Sequence, residues 1–341
     1  MNNLLLGEWL IGLRPETLQK RAPAVIVNNQ KRRQYRHRWP DGTRTPSAAM
    51  DLGPKVGIVM AVEALVRKLI PSTVLVARNP LFSAASCVVD ATYGRYAEWR
   101  TGVKMPPLRY IVRTGVGNNI LFPHYYYATA GHKVWEYFFS EGLANLESII
   151  VDIGCGCGKS AAALRDFRYA DVEFSGHYYG FDIDIALVDW CNGHFPADHF
   201  TFSLVNGKST VYPASGKPQV ERSLGVCQDA SVDLVFSQSL FSHLLEEDLE
   251  HYVRESFRVL KRGGSMCMTF FCLEDLETLG LLGNRWSFEH KMGRAYVENK
   301  AFPEAAVAYN KKVVIDLAKE IGFSSCEAIL PSYQSSLLCK K

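Results

Sequence analysis

The chain has 341 residues, of which 48% are apolar and 21% charged, and it carries a formal net charge of +3. These are the figures of a globular protein with one large domain or two, and they exclude a chain too polar to bury a core. The charge is too small to imply nucleic acid by itself, and nine scattered cysteines without C-x-x-C pairs offer neither a disulfide framework nor a zinc site, which favours a reducing cytoplasm.

The first residues, MNNLLLGEWLIGL, have no positive charge ahead of the apolar run, and Glu8 interrupts it, so they do not read as a signal peptide. A short amphipathic helix is expected near residues 3–13, and a second helix over residues 55–70. The latter carries Glu63, Arg67 and Lys68 and is too short to span a bilayer. Between them lies KRRQYRHRW, residues 31–39, with Tyr35 and Trp39 among the cations. This run reads as a solvated loop or as a surface for anionic lipid or nucleic acid. The apolar segments around it favour lipid, which would place residues 1–70 at the periphery of a membrane. Residues 1–125 are read as a mainly helical and irregular N-terminal extension that binds the acceptor or contacts a membrane.

From about residue 126 to the end, strands and helices alternate as a mainly parallel sheet requires. Strands are expected at 148–153, 177–182, 200–205, 232–237 and 265–271, with helices at 159–167, 185–191 and 246–260. A helix at 310–321 stops at Gly322, and two short strands close the chain at 325–330 and 335–339. Helices between successive strands imply right-handed crossovers and a ligand at the carboxyl ends of the strands. Two segments, 206–231 and 273–308, interrupt the rhythm and read either as substrate lids or as passive surface loops.

The stretch IIVDIGCGCGKS, residues 149–160, follows the first strand. Its ending GKS suggests a P-loop, but the first glycine of that motif falls on Ile153, so the match fails. The dinucleotide fingerprint fits as Gly156, Gly158 and Ala161, with Asp182 24 residues beyond Gly158, although that pattern is short and undemanding. A third ligand fits the chemistry as well. S-adenosylmethionine has no phosphate and carries a cationic end, so its loop needs glycines for close approach and an acid. Asp152 through Gly158 provides these, and Asp182 in GFDID ends the second strand, where it can receive both ribose hydroxyls. Each of these residues also has a purely structural reading, with the glycines as a tight turn and Asp152 as a helix cap.

VDIGCGCG and GFDID resemble the first two motifs of the class I S-adenosylmethionine-dependent methyltransferases. SVDLVFSQSLFSHLL with RESFRVLKRGG is similar to their fourth strand, its helix and the turn into strand five, and GF…QSSLLCKK to their closing hairpin. The resemblance covers residues 125–341. It implies an α/β, Rossmann-like sheet of seven strands, mostly parallel with an antiparallel last strand, over residues 126–341. It implies S-adenosyl-L-methionine as cofactor, with Asp152, Gly154, Gly156 and Gly158 at its methionine end and Asp182 on the ribose. By the same resemblance Ile183 packs on adenine, Asn206 reaches the adenine or ribose side, and Ser237 lies below the sulfonium.

The acceptor is harder to read. The [Asp/Asn]-Pro-Pro-aromatic signature of amino-group methylation is replaced by Ser237-Gln238-Ser239-Leu240, and no Pro-Cys dipeptide occurs, which disfavours nucleic acid. FSQSLFSHLL and FPEAAVAYNKKVVIDLAKEIGF resemble bacterial enzymes acting on small molecules, surface sugars or lipid-linked glycans, most of which methylate oxygen. The alternative is an RNA or protein methyltransferase using the basic N-terminal region. In the fold implied, the turn carrying His243 faces the methyl group, which makes it the candidate base for a hydroxyl proton; packing under the next helix is its other reading. Glu246, Glu247 and Asp248 look like a solvated helix start, and no metal is expected.

Overall fold

A computed structural model of the chain describes residues 80–114, 123–169, 172–205, 224–330 and 333–341. The expected helices near 3–13 and at 55–70, the basic run at 31–39, Asn206 and most of the 206–231 segment lie outside the described residues. The chain divides into two compact units: one takes the residues up to Glu141 together with Ala163–Phe174, and the other comprises Gly142–Ala162 and Ser175–Lys341.

The described part of the first unit is mainly helical. Helices α1 (Pro80–Val89), α2 (Arg95–Thr101), α3 (Leu108–Ile111) and α4 (Pro123–Ser140) make up most of it, with a π-helical turn joining α1 to α2. Trp135 on α4 is fully buried among Phe138 and Phe139, and Phe139 meets Phe167 edge to face at 4.9 Å. Gly102 closes α2 at φ +70°, a left-handed stop.

The second unit is built on a parallel sheet. Strands β1 (Ile149–Ile153), β4 (His177–Asp182), β5 (Phe200–Leu204), β6 (Val232–Ser237) and β7 (Leu260–Cys272) lie in the order β5-β4-β1-β6-β7, every neighbouring pair parallel. Helix α5 (Lys159–Arg165) follows β1, and the two-residue strands β2 (Arg168–Tyr169) and β3 (Val172–Glu173), which belong to the Ala163–Phe174 segment of the first unit, pair antiparallel with each other. β11 (Ser325–Ile329) and β12 (Ser335–Lys340) form an antiparallel hairpin, and β12 pairs antiparallel with β7. Near-continuous burial along β1 and β6 is the mark of strands covered on both faces.

The helices form where the sequence says they should. Helix α6 (Ile185–Asn192) starts at Asp184, whose carboxylate accepts from the Ala186 N–H at 3.1 Å. Helix α7 (Glu246–Val259) places three acids in its first turn, against the positive end of its dipole. It buries Leu249, Tyr252, Val253, Ser256 and Val259 at helical spacing.

Two details differ from expectation. β7 starts at Leu260 rather than 265, because Lys261–Gly264 bulges within the strand; Gly263 at φ +81° permits the excursion, and the register with β6 shifts there. The 273–308 segment has its own order: helix α8 (Leu273–Thr278), then β8 (His290–Met292), β9 (Ala295–Val297) and β10 (Val307–Tyr309). β10 pairs parallel with the end of β7, at Phe271 and Cys272, so this segment extends the sheet. Helix α9 (Lys311–Ile321) follows, and Gly322 ends it at φ +123°.

Candidate functional site

Because β1, β4 and β6 are parallel neighbours, their last residues stand along one edge of the sheet. That edge receives Asp152 from β1, Asp182 from β4 and Ser237 from β6. The glycine loop after β1 is held against the end of β4. The N–H groups of Gly154 and Cys155 both donate to the Phe181 carbonyl, at 2.8 and 3.0 Å, and the Gly156 N–H donates to Asp182 Oδ2 at 2.8 Å.

The loop is crowded at two of its glycines. Gly154 sits at φ +80°, and a Cβ there would stand 3.2 Å from the Leu240 side chain; at Gly158, φ +79°, it would come within 2.9 Å of the Phe195 ring and 3.1 Å of Cys191 Sγ. Only glycine accepts both the left-handed backbone and the close contact. The thiols of Cys155 and Cys191 are pushed well up by burial, and they pack as protonated groups rather than acting as nucleophiles.

Asp152 is 3% exposed and accepts a hydrogen bond from the Tyr178 hydroxyl. Burial pushes its carboxyl up to about 7, against the pull of the Tyr178 hydroxyl and the Lys159 ammonium. A cationic ligand group beside it would restore the charged form. Asp182 receives two backbone donors, Gly156 N–H on Oδ2 and Asp184 N–H on Oδ1 at 3.0 Å. Burial raises its carboxyl from the ordinary range, and the Asp184, Gly156 and Ile183 N–H groups oppose the rise. Each oxygen keeps a lone pair for a further hydroxyl. Ile183 is half-buried against the main core. Ser237 is 1% exposed, and its Oγ finds no hydrogen-bond partner. A buried hydroxyl left unpaired at a strand end suits a polar ligand.

The turn after β6 closes the site. Ser239 adopts φ +60°, unusual outside glycine, and is held there by several bonds. Its N–H donates to Thr269 Oγ1 at 2.6 Å and its hydroxyl to Gln334 Oε1 at 3.0 Å. Gln334 Nε2 in turn donates to Ser242 Oγ at 3.2 Å, and the Ser242 hydroxyl donates to the Ser239 carbonyl at 2.9 Å. Ser160 donates to Gln238 Oε1 at 3.3 Å. His243 lies in the 3-10 turn Phe241–His243. Its Nδ1 stands 2.9 Å from the Glu304 carbonyl, and because a carbonyl only accepts, Nδ1 carries the proton. That leaves Nε2 as the basic nitrogen. Burial lowers this histidine below its ordinary value, so the ring is neutral at physiological pH. Glu246 pairs with Arg294, Nε to Oε1 at 2.7 Å, as an ordinary ion pair at the start of α7.

No sequence pattern points individually to Tyr178, Gln334 or Glu304. Tyr178 belongs to a buried strand and reads as core; the other two reach the site from distant parts of the chain, so no local pattern marks them.

Residues 151–268 match a family model described as a methyltransferase domain. Solved structures similar to the chain include the PH0226 protein of Pyrococcus horikoshii OT3, at 17% identity and TM-score 0.45, covering 67% of this chain and 94% of that one. A SAM-dependent methyltransferase from Methanosarcina mazei matches at 17% identity and TM-score 0.40, covering 60% and 96%. A putative O-methyltransferase from Nostoc punctiforme PCC 73102 matches at 12% identity and TM-score 0.39, covering 63% and 59%. These likenesses are loose.

Proposed function

We infer that this chain, whose residues 151–268 match a methyltransferase-domain family model, is a class I S-adenosylmethionine-dependent methyltransferase that methylates a hydroxyl of a small molecule, sugar or lipid-linked glycan. The observation that carries the hydroxyl reading is His243, a neutral histidine whose Nδ1 proton is fixed by the Glu304 carbonyl. A hydroxyl acceptor must lose a proton as it is methylated, and a neutral imidazole is suited to take it.

The bound cofactor supplies an electrophilic methyl group on a cationic sulfur. The chain's part is to hold and align. Asp152, with the backbone of Gly154, Gly156 and Gly158, would meet the methionine end. Asp182 would accept from the ribose hydroxyls, and Ile183 and Asn206 would flank the base. The Ser237 hydroxyl would gain its missing partner beneath the sulfonium. The bonded turn from Ser239 to Ser242 fixes the side from which an acceptor approaches, and such alignment supplies much of the rate of a displacement. Residues 1–125 would serve as the acceptor-binding or membrane-contact region, with residues 1–70 as the membrane-facing part. That reading rests on the sequence alone, since residues 1–79 lie outside the described residues. No helix among the described residues is long and apolar enough to cross a membrane.

Labelled methyl from the cofactor, supplied with the full chain to a cell extract, is expected to appear in the glycan, lipid or small-molecule fraction. Label confined to RNA or protein would overturn the acceptor class while leaving the methyl transfer intact.

The carboxyl of Asp152 also sets a pH dependence. Its ionised form is the one that meets a cation, and with a carboxyl near 7 the ionised fraction falls about tenfold from pH 8 to pH 6. Affinity for S-adenosylhomocysteine, which keeps the ammonium, is expected to fall by about the same factor over that range. Asp152→Asn should bind more weakly at pH 8 and lose the dependence; a wild-type affinity that stays level from pH 8 to pH 6 would remove Asp152 from this role.

A further inference from the structure

A second group of residues lies beyond the methyl-transfer edge. Phe271, Leu276, Leu281 and Phe288 form a small core of their own in the segment after β7. Against it Trp286 and Tyr333 stack, with ring centres 5.6 Å apart and planes 21° apart. The Arg285 guanidinium lies over both rings, 4.2 Å from the centre of Trp286 and 5.3 Å from that of Tyr333. Arg285 is exposed, and among the described residues its guanidinium has no carboxylate partner. It is therefore a cation positioned by ring faces, with its N–H donors uncommitted.

The cluster is tied to the acceptor side of the site. Tyr333 directly precedes Gln334, the residue bonded to Ser239 and Ser242 in the turn after β6. Phe271 lies two residues beyond Thr269, on the same side of β7, and Thr269 accepts from the Ser239 N–H. The same turn carries Leu240, which a Cβ at Gly154 would touch at 3.2 Å. One bonded turn thus connects the glycine loop with the aromatic cluster.

A guanidinium resting on aromatic faces has lost part of its conformational freedom in advance, and its donor edge matches an oxyanion in two-point contact. The geometry points to an oxyanion subsite: Arg285, set over Trp286 and Tyr333, binds a carboxylate or phosphate carried by the methyl acceptor. It thereby selects anionic acceptors, such as sugar acids or sugar phosphates, over neutral ones. This rests on the methyl-transfer reading for the side on which the acceptor sits.

The test uses the full chain saturated with S-adenosylhomocysteine and titrated separately with glucuronate, glucose 1-phosphate and glucose. At least one of the two anions is expected to bind about tenfold or more tightly than glucose, and comparing them separates a carboxylate subsite from a phosphate one. Arg285→Gln should reduce the anions to the level of glucose, while Arg285→Lys, which keeps the charge but not the fork, falls between. S-adenosylhomocysteine affinity and melting temperature should be the same in all three proteins, since Arg285 is exposed and lies outside the cofactor loop. Equal binding of glucose and the anions, no binding of either anion, or anion binding unchanged by Arg285→Gln would overturn the subsite. Failure of S-adenosylhomocysteine itself to bind would instead defeat the methyl-transfer reading.

Discussion

His243→Ala is expected to lower turnover by roughly 10²–10⁴-fold while leaving affinity for S-adenosylhomocysteine nearly unchanged. The reason lies in the tautomer: the Glu304 carbonyl at 2.9 Å keeps the proton on Nδ1, so Nε2 is the nitrogen able to accept one. Burial holds the histidine below its ordinary value of about 6.5. The acid limb of the turnover profile should therefore fall below that value, and the rate should be level above it. Near-normal turnover in the variant would assign proton removal elsewhere. Loss of folding or of cofactor binding would show that His243 serves packing, with the Glu304 bond as its purpose.

Asp182→Ala should weaken S-adenosylhomocysteine binding by roughly 1–3 kcal/mol, or about 5–150-fold in affinity. Two effects add here. Under the proposed cofactor role the ribose hydroxyls would lose their acceptor, and the Gly156 and Asp184 N–H groups lose theirs, bonded at 2.8 and 3.0 Å. The second effect loosens the loop itself, so the cost belongs to the site as a unit rather than to one contact. Asp182→Asn, which keeps one acceptor oxygen, should lose less. Unchanged affinity in the alanine variant, measured by calorimetry, would mean that Asp182 only braces the loop.

What could be read in the sequence follows from how local each signal is. β4 and β6 occupy the residues expected, His177–Asp182 and Val232–Ser237, because each is a short buried run bounded by turn-formers. Helices α7 and α9 also agree closely, since amphipathic spacing and a stop at Gly322 are written within one segment. The sequence of the 273–308 segment reads as a lid or loop because β8, β9 and β10 are three residues each and exist through pairing with one another and with the end of β7. A strand that short carries no periodicity of its own.

The same division runs through the site. The acid and glycines of the loop sit together in VDIGCGCG, and Asp182 closes the short run GFDID, so each is marked by its own local pattern. The Tyr178 hydroxyl on Asp152, the Glu304 carbonyl on His243 and the Gln334 amide among Ser239 and Ser242 join positions 26 to 95 residues apart. Those contacts decide protonation and orientation, and they exist only once the sheet has formed. The raised carboxyl of Asp152 is of this kind, because it depends on what buries it.

The central claim, that the loop from Asp152 to Gly158 with Asp182 holds S-adenosylmethionine, is tested most directly by calorimetric titration of the full chain with S-adenosylhomocysteine, NAD and ATP in parallel. Saturable binding of S-adenosylhomocysteine, displaced by S-adenosylmethionine, with no heat from NAD or ATP, is the predicted result. Tight binding of NAD with no response to S-adenosylhomocysteine would contradict it.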